Sequence, residues 1–348
     1  MAISQDLDHS DITTKQSELI FEMISNFPYQ TELAIAFIKN NDANFYGAKR
    51  KNDKITRVYN SLGIFEIGSI SKVFTSTILA NLVIEEKIDL DNNINDVLTF
   101  DVKNGITISY LELANHTSGL PREPSDMGLF SSRSPQNPYM YYNRNVLENY
   151  MRDQVILLHT PGSKYLYSNL GAGLLGYALC NLEEKSYGEL LDEEIFSKYD
   201  MKFTTTDPSK CKEYLIKGLD VYGNVTQNWD LASFEPAGGI LSNVEDLAKF
   251  GIAQLDISNK ELLLTKEMTF SINDEFDVGL GWHIVKTESG DHWHWHNGGT
   301  GGYSSSMAID IKNNTGIVIL SNISVFHRER AKIDDLCFEL MQTMNNTP

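Results

Sequence analysis

The stretch that most constrains the fold is Phe65-Glu66-Ile67-Gly68-Ser69-Ile70-Ser71-Lys72-Val73-Phe74-Thr75, which runs directly into an apolar helical segment continuing to about Glu86. The rest of the chain has to be organised around this helix. Side chains three apart share a helix face, so Ser69 and Lys72 come within hydrogen-bond reach while Ile70, Val73 and Phe74 bury the opposite side. A serine hydroxyl is a poor nucleophile until a base takes its proton. A lysine serves as that base only where desolvation or a neighbouring cation lowers its pKa, and the apolar surroundings supply the desolvation. At a helix start, Ser69 would also meet free backbone N–H groups and the positive end of the dipole, which favour an oxyanion. Gly68 leaves room for a substrate. Ser-x-x-Lys alone is not specific, because Ser209-Lys210-Cys211-Lys212 repeats it in a polar stretch with no apolar helix behind it.

Composition narrows the function. At 348 residues and 41% hydrophobic, the chain can bury a large core. Its 47 acidic against 29 basic residues give a net charge of -18, which repels polyanions, so nucleic acid is not an expected partner. No apolar run approaches the roughly 20 residues of a membrane span. The opening Met1-Ala2-Ile3-Ser4-Gln5-Asp6-Leu7-Asp8-His9-Ser10 lacks the basic start and apolar centre of an export signal. A cytoplasmic location is expected for the chain as it stands, and a periplasmic or secreted one if a leader has been removed. Cys180, Cys211 and Cys337 are odd in number and widely spaced, and are expected to be buried, unpaired thiols.

Periodicity orders the elements. A helix is expected over 13–27, a hairpin over 32–48 turning at Asn40-Asn41-Asp42, and a short strand within 61–67. Residues 106–115 form a helix capped by Thr107 or Ser109. The segment 122–142, rich in Pro, Ser, Asn and Tyr, is expected to be a long surface excursion. Helices follow over 145–158 and 170–182, with 183–199 mostly helical. Pro236-Ala237-Gly238-Gly239 marks a tight bend, and Ser242-Asn243-Val244-Glu245 reads as a capping box opening a helix to about Leu255. Strands are expected over 279–285, 293–296, 303–310 and 316–322, with a closing helix over 329–344. Strands, then helices, then strands again predict an α+β fold (an α/β sandwich). First and last strands share one antiparallel sheet, the terminal helices flank it, and a mostly helical part is inserted. The whole chain, 1–348, is expected to be one catalytic domain, with its α/β part at about 1–68 and 275–348 and its helical part at about 69–274.

Three features then occur in order: Ser69-x-x-Lys72, Tyr167-Ser168-Asn169 between Pro161-Gly162 and a helix, and His296-Asn297-Gly298-Gly299-Thr300-Gly301-Gly302-Tyr303 on a late strand. Together they resemble the serine β-lactamase and penicillin-binding protein family, most closely its class C-like branch, whose middle element is Tyr-x-Asn. Lesser matches are His116-Thr117-Ser118-Gly119-Leu120-Pro121, Pro236-Ala237-Gly238-Gly239 and Gly279-Leu280-Gly281-Trp282. The resemblance implies a β-lactamase/transpeptidase-like fold and acyl transfer without a cofactor. Ser69 would be acylated, Lys72 and Tyr167 would share the proton work, and Asn169 would bond substrate or Lys72. A second oxyanion donor is expected near Ser304 or Ser305, and Glu123 at the lip of the excursion is a candidate substrate contact.

Where β-lactamases carry Lys-Thr-Gly this chain has His296-Asn297-Gly298, which replaces a permanent cation by a group expected to titrate near neutrality. Histidine there is similar to D-aminopeptidases and esterases of this branch. The expected substrate is therefore a small molecule or peptide with an amide bond, of β-lactam or D-amino-acid type. The alternatives are a carboxylesterase and a non-catalytic binding protein, against which the presence of Ser69, Lys72 and Tyr167 stands. His292, His294 and His296 share a strand face and raise zinc as an alternative, but without an intervening Cys or carboxylate no metal is expected.

Overall fold

The computed structural model describes residues 4–6 and 12–345; most of the opening segment weighed for an export signal lies outside them. Its strands are β1 Ser4–Asp6, β2 Glu32–Lys39, β3 Asp42–Lys51, β4 Lys54–Val58, β5 Phe65–Glu66 and β6 Leu241–Ser242. They continue with β7 Phe270–Ser271, β8 Phe276–Val278, β9 His283–Lys286, β10 His292–Gly299, β11 Ser304–Asp310 and β12 Thr315–Ser321. Ten of them form one sheet in the order β1-β4-β3-β2-β12-β11-β10-β9-β8-β7, while β5 and β6 pair separately. All its pairings are antiparallel except β1 with β4, and the first strands meet the last where β2 pairs β12, with Ile35 opposite Ile319. The α+β architecture expected from the sequence is the one found.

The central strands are apolar in nearly every position because both faces of the sheet are covered. Along β2, Leu33, Ile35 and Phe37 belong to one core while Ala34, Ala36 and Ile38 belong to the other. The terminal helices Thr14–Ile24 and Lys332–Asn345 cover the first face with Ile20, Ile24, Leu336 and Leu340. The helical layer covers the second. At its centre the Ser71–Ile84 helix is buried from Ser71 through Leu82, so no polar face is needed and none is present. Each of the buried Val73, Phe74, Ile78, Leu79 and Leu82 side chains contributes roughly 1.5–3 kcal/mol of transfer energy, which anchors the residues before it.

Several local expectations shift. The segment 122–142 is not a free surface loop: Met127, Asn137 and Tyr142 are buried, and Tyr139 and Tyr142 pack on Phe234. Its aromatic residues gain more from burial than its polar composition suggested. The cap of the Val244–Leu255 helix is Asn243, accepting from Asp246 N, one residue later than the Ser242 box. The helix expected to reach 158 ends at Asp153. The Gly279–Trp282 stretch is a turn, with Gly281 at φ +74°, and the strand begins only at His283. Pro236–Gly239 belongs mostly to a short helix, Glu235–Gly238. All three thiols are free, but Cys180 is only half-buried. Among the described residues no helix is long and apolar enough to cross a membrane.

Candidate active site

Ser69 lies in a 3-10 turn, Gly68–Ile70, that leads straight into the buried helix. Gly68 makes this entry possible. It adopts φ +53°, and a Cβ there would stand 2.3 Å from Gly299 N. The next close approach is at Gly298, where a Cβ would stand 1.9 Å from Ile67 O. Strand β10 therefore runs against the nucleophile turn backbone to backbone, and Ser305 Oγ fastens the contact by donating to Ile67 O at 2.8 Å.

Lys72 is 2% exposed. Its Nζ donates to Ser69 Oγ at 3.1 Å, Asn169 Oδ1 at 2.8 Å and Ala237 O at 2.7 Å. Burial pushes its pKa well below the usual lysine range, Glu123 pulls it back up, and Arg122 lowers it further. Burial pushes the Tyr167 phenol up to about 12, against which the nearby Ser69 hydroxyl pulls it down. Lys72 Nζ and the Arg122 guanidinium carbon stand 4.8 and 5.0 Å from the Tyr167 ring centre. Asn169 opens the Asn169–Glu183 helix behind the cap Ser168, whose side chain accepts from Gly171 N. Its Nδ2 donates to Glu123 Oε1 at 2.6 Å.

The structure thus brings Ser69, Lys72, Tyr167, Asn169, Glu123, His296 and Gly298 together. The second Ser-x-x-Lys copy falls at an exposed 3-10 turn, Pro208–Lys210.

A profile described as Beta-lactamase matches residues 29–340. The chain belongs to the Beta-lactamase family. Among curated proteins it is similar to the D-alanyl-D-alanine-carboxypeptidase/endopeptidase AmpH of Escherichia coli K12, 26% identical over 95% of this chain and 89% of that protein. It is also similar to Protein flp of Staphylococcus aureus MW2, 24% identical over 75% of this chain and 53% of that protein. Two solved structures share the fold. One is a β-lactamase/D-alanine carboxypeptidase from Pseudomonas syringae, with a TM-score of 0.79 at 19% identity, covering 96% of this chain and 99% of that one. The other is an octameric penicillin-binding protein homologue from Pyrococcus abyssi, with a TM-score of 0.76 at 20% identity, covering 94% and 77%.

Within this Beta-lactamase family site, four expectations need correction. His296 does not titrate near neutrality: it is 1% exposed, and burial, with His283 and Lys72 nearby, drives its pKa well below 6.5. Its Nδ1 donates to Asn297 O at 2.6 Å, which leaves Nε2 as a buried acceptor without a protein partner. Asn297 points to the other face of β10, where its Nδ2 donates to Asp334 Oδ2 at 2.8 Å, because successive strand residues alternate sides. Ser304 is sealed in the sheet with its Oγ given to Ile323 O. Finally, the free backbone donor beside Ser69 belongs to neither Ser304 nor Ser305. Thr300 N bonds Tyr303 O across to β11, so one residue earlier Gly299 N points the opposite way, toward the Gly68–Ser69 turn.

Sequence reasoning missed a cage of rings around Tyr167. His116 lies 4.4 Å from it between centroids, His283 6.3 Å and His296 6.1 Å, and Tyr165 Oη bonds His283 Nε2 at 2.7 Å. His116 Nδ1 accepts from Ser168 N, which puts its neutral-form proton on Nε2. His283 is held neutral too, its pKa lowered by burial to about 4. The signal for His116 was the 116–121 match; His283 reaches the site only through its pairing with Trp295. On β10, His292 is exposed and His294 turns toward Lys266 O, so His296 stands apart from them. Among the described residues no group of three His, Cys, Asp or Glu side chains is placed to hold a metal ion.

Proposed function

We propose that this chain is a serine acyl hydrolase that cleaves an amide bond of D-amino-acid peptide or β-lactam type through an acyl-enzyme on Ser69. The observation that carries the reading is the buried Lys72 amine bonded to Ser69 Oγ beside Tyr167. Ser69 Oγ attacks the carbonyl carbon, and its proton passes to the Lys72–Tyr167 pair. The N–H groups of Ser69 and Gly299 receive the oxyanion. Collapse expels the amine, which takes the proton from the same pair, and water then repeats the sequence to release the acid. Because Lys72 and Tyr167 share one proton path, their titration belongs to the pair. Asn169 holds Lys72 in place.

The amide reading draws support from the similarity to the Escherichia coli relative, a D-alanyl-D-alanine-carboxypeptidase/endopeptidase by name. An ester substrate is the second reading, favoured by the neutral His296, which offers a lone pair rather than a cation.

The test is intact-mass measurement and peptide mapping after a fluorophosphonate or a penicillin, for wild type and Ser69→Ala. A single adduct on Ser69, absent from the variant, is expected. An adduct elsewhere, or full activity in Ser69→Ala, would sink the assignment. Rates on D-aminoacyl anilides, nitrocefin and p-nitrophenyl esters then separate the two substrate readings.

A further inference from the structure

Glu123 turns inward from the start of the 122–142 connection. Its Oε1 accepts from Asn169 Nδ2 at 2.6 Å and from Tyr139 Oη at 2.7 Å, while Oε2 is buried without a protein partner. The bond to Asn169 has a consequence one residue further on. An amide is a donor on one side and an acceptor on the other, so a carboxylate that takes the N–H side dictates where the carbonyl points. That carbonyl, Asn169 Oδ1, is the atom that accepts from Lys72 Nζ at 2.8 Å. Flipped, Asn169 would set an NH2 group against the Lys72 amine and a lone pair against the carboxylate.

Resting on the reading of Ser69 as the acylated residue, we propose that Glu123 is a positioning residue. It locks the Asn169 carbonyl toward Lys72, and its charge sets the pH at which the Lys72–Tyr167 pair can take the Ser69 proton.

The charges around this bridge agree. Burial lowers Lys72 and raises Glu123, and the Glu123 carboxylate opposes the first shift. It also raises the Tyr167 phenol. Whichever of the two accepts the proton, the anion therefore delays deprotonation to higher pH. A base dragged far below the working pH is a weak one, and Glu123 pulls this one back. Facing Glu123 are Arg122, Tyr139 and Tyr142 from its own segment, Lys72 from the buried helix, and Tyr167 from the Tyr-x-Asn turn. Facing Lys72 and Tyr167 are Arg122, Arg330 and the neutral His116, His283 and His296.

The test is the pH dependence of the second-order rate at which a small fluorophosphonate labels Ser69 in the full chain, followed by intact mass. Glu123→Gln keeps the length and an acceptor for Asn169 but removes the charge. Its acid limb should move to lower pH by about one unit, or tenfold in rate on the rising side, for the loss of a unit charge bridged to Lys72 through the Asn169 amide. Glu123→Asp keeps the charge and shortens the reach, so its limb should stay put while its plateau drops about tenfold as Asn169 loosens. A Glu123→Gln limb coincident with wild type overturns the charge role. A Glu123→Asp plateau equal to wild type overturns the positioning role, and this variant carries the test if the other does not fold. Absence of any Ser69 label in wild type would instead overturn the underlying reading of the site.

Discussion

Replacing Gly68 by alanine should disable the site far more than it destabilises the fold. The residue would have to hold φ +53°, which costs an L-amino acid roughly 1–2 kcal/mol. Its methyl would also stand 2.3 Å from Gly299 N and 3.1 Å from Gly298 C. Ordinary contact begins near 3.4 Å, so β10 and the nucleophile turn must part by about 1 Å. That gap opens between Ser69 and the N–H group proposed to bind the oxyanion. Misplacement by about 1 Å costs on the order of 10²-fold, and loss of one oxyanion donor roughly 10²–10³-fold. Strain alone should lower Tm by only about 1–3 °C in a chain of 348 residues. Gly290 provides the control. It adopts φ +81° in the hairpin before β10, and an added Cβ there meets nothing within 4 Å. Gly290→Ala should therefore show a similar loss of Tm with an unchanged fluorophosphonate labelling rate, while Gly68→Ala labels at least 100-fold more slowly. If the two variants label within tenfold of each other, backbone contact between the turn and β10 is not what holds the site in register.

Two further outcomes follow from the buried groups. Lys72→Ala and Tyr167→Phe combined should cost little more in kcat/KM than the worse single change, because both act on one proton path; additive losses would mean that one of them only binds substrate. His294 is neutral in the fold, its pKa lowered by burial to about 4, with its Nε2 near Lys266 O. Between that value and the ordinary 6.5 the unfolded chain binds a proton that the folded chain excludes, so stability falls as pH drops through this window. His294→Gln should flatten the slope by up to about 1.4 kcal/mol per pH unit in urea unfolding between about pH 4.5 and 7. An unchanged slope would show that the ring is charged in the folded protein.

The order of elements and the three motifs were legible because each rests on local pattern. Helical spacing put Ser69 beside Lys72, and alternation put His292, His294 and His296 on one face of β10. The same alternation carried the correction to Asn297, since a residue next to His296 cannot share its face. Other features depend on pairing and were not legible. His283 reaches Tyr167 because β9 pairs β10 with His283 opposite Trp295, and nothing near His283 in the chain encodes that register. Gly299 N is free because β10 continues past the end of β9, leaving its outer hydrogen-bonding side open at the turn. The inward fold of the 122–142 segment depends on Phe234, over ninety positions further along the chain from Tyr142.

The change of residue at His296 reaches further than charge. A lysine in this position would present donors to an anionic substrate group. The histidine spends its one N–H on Asn297 O and turns a lone pair inward, so a carboxylate placed there would face a lone pair instead of a hydrogen. Protonating the ring would restore a donor, but burial together with His283, Lys72 and His116 opposes a further positive charge. The position therefore stays an acceptor across the range in which a free histidine titrates. What suits it is a hydroxyl or an N–H, from substrate or from a neighbouring residue. A substrate whose anionic group must be met at this strand loses a charge-assisted hydrogen bond, about 1.5–3 kcal/mol, relative to a lysine site. On the proposed reading of the site, neutral esters and amides would not bear that loss.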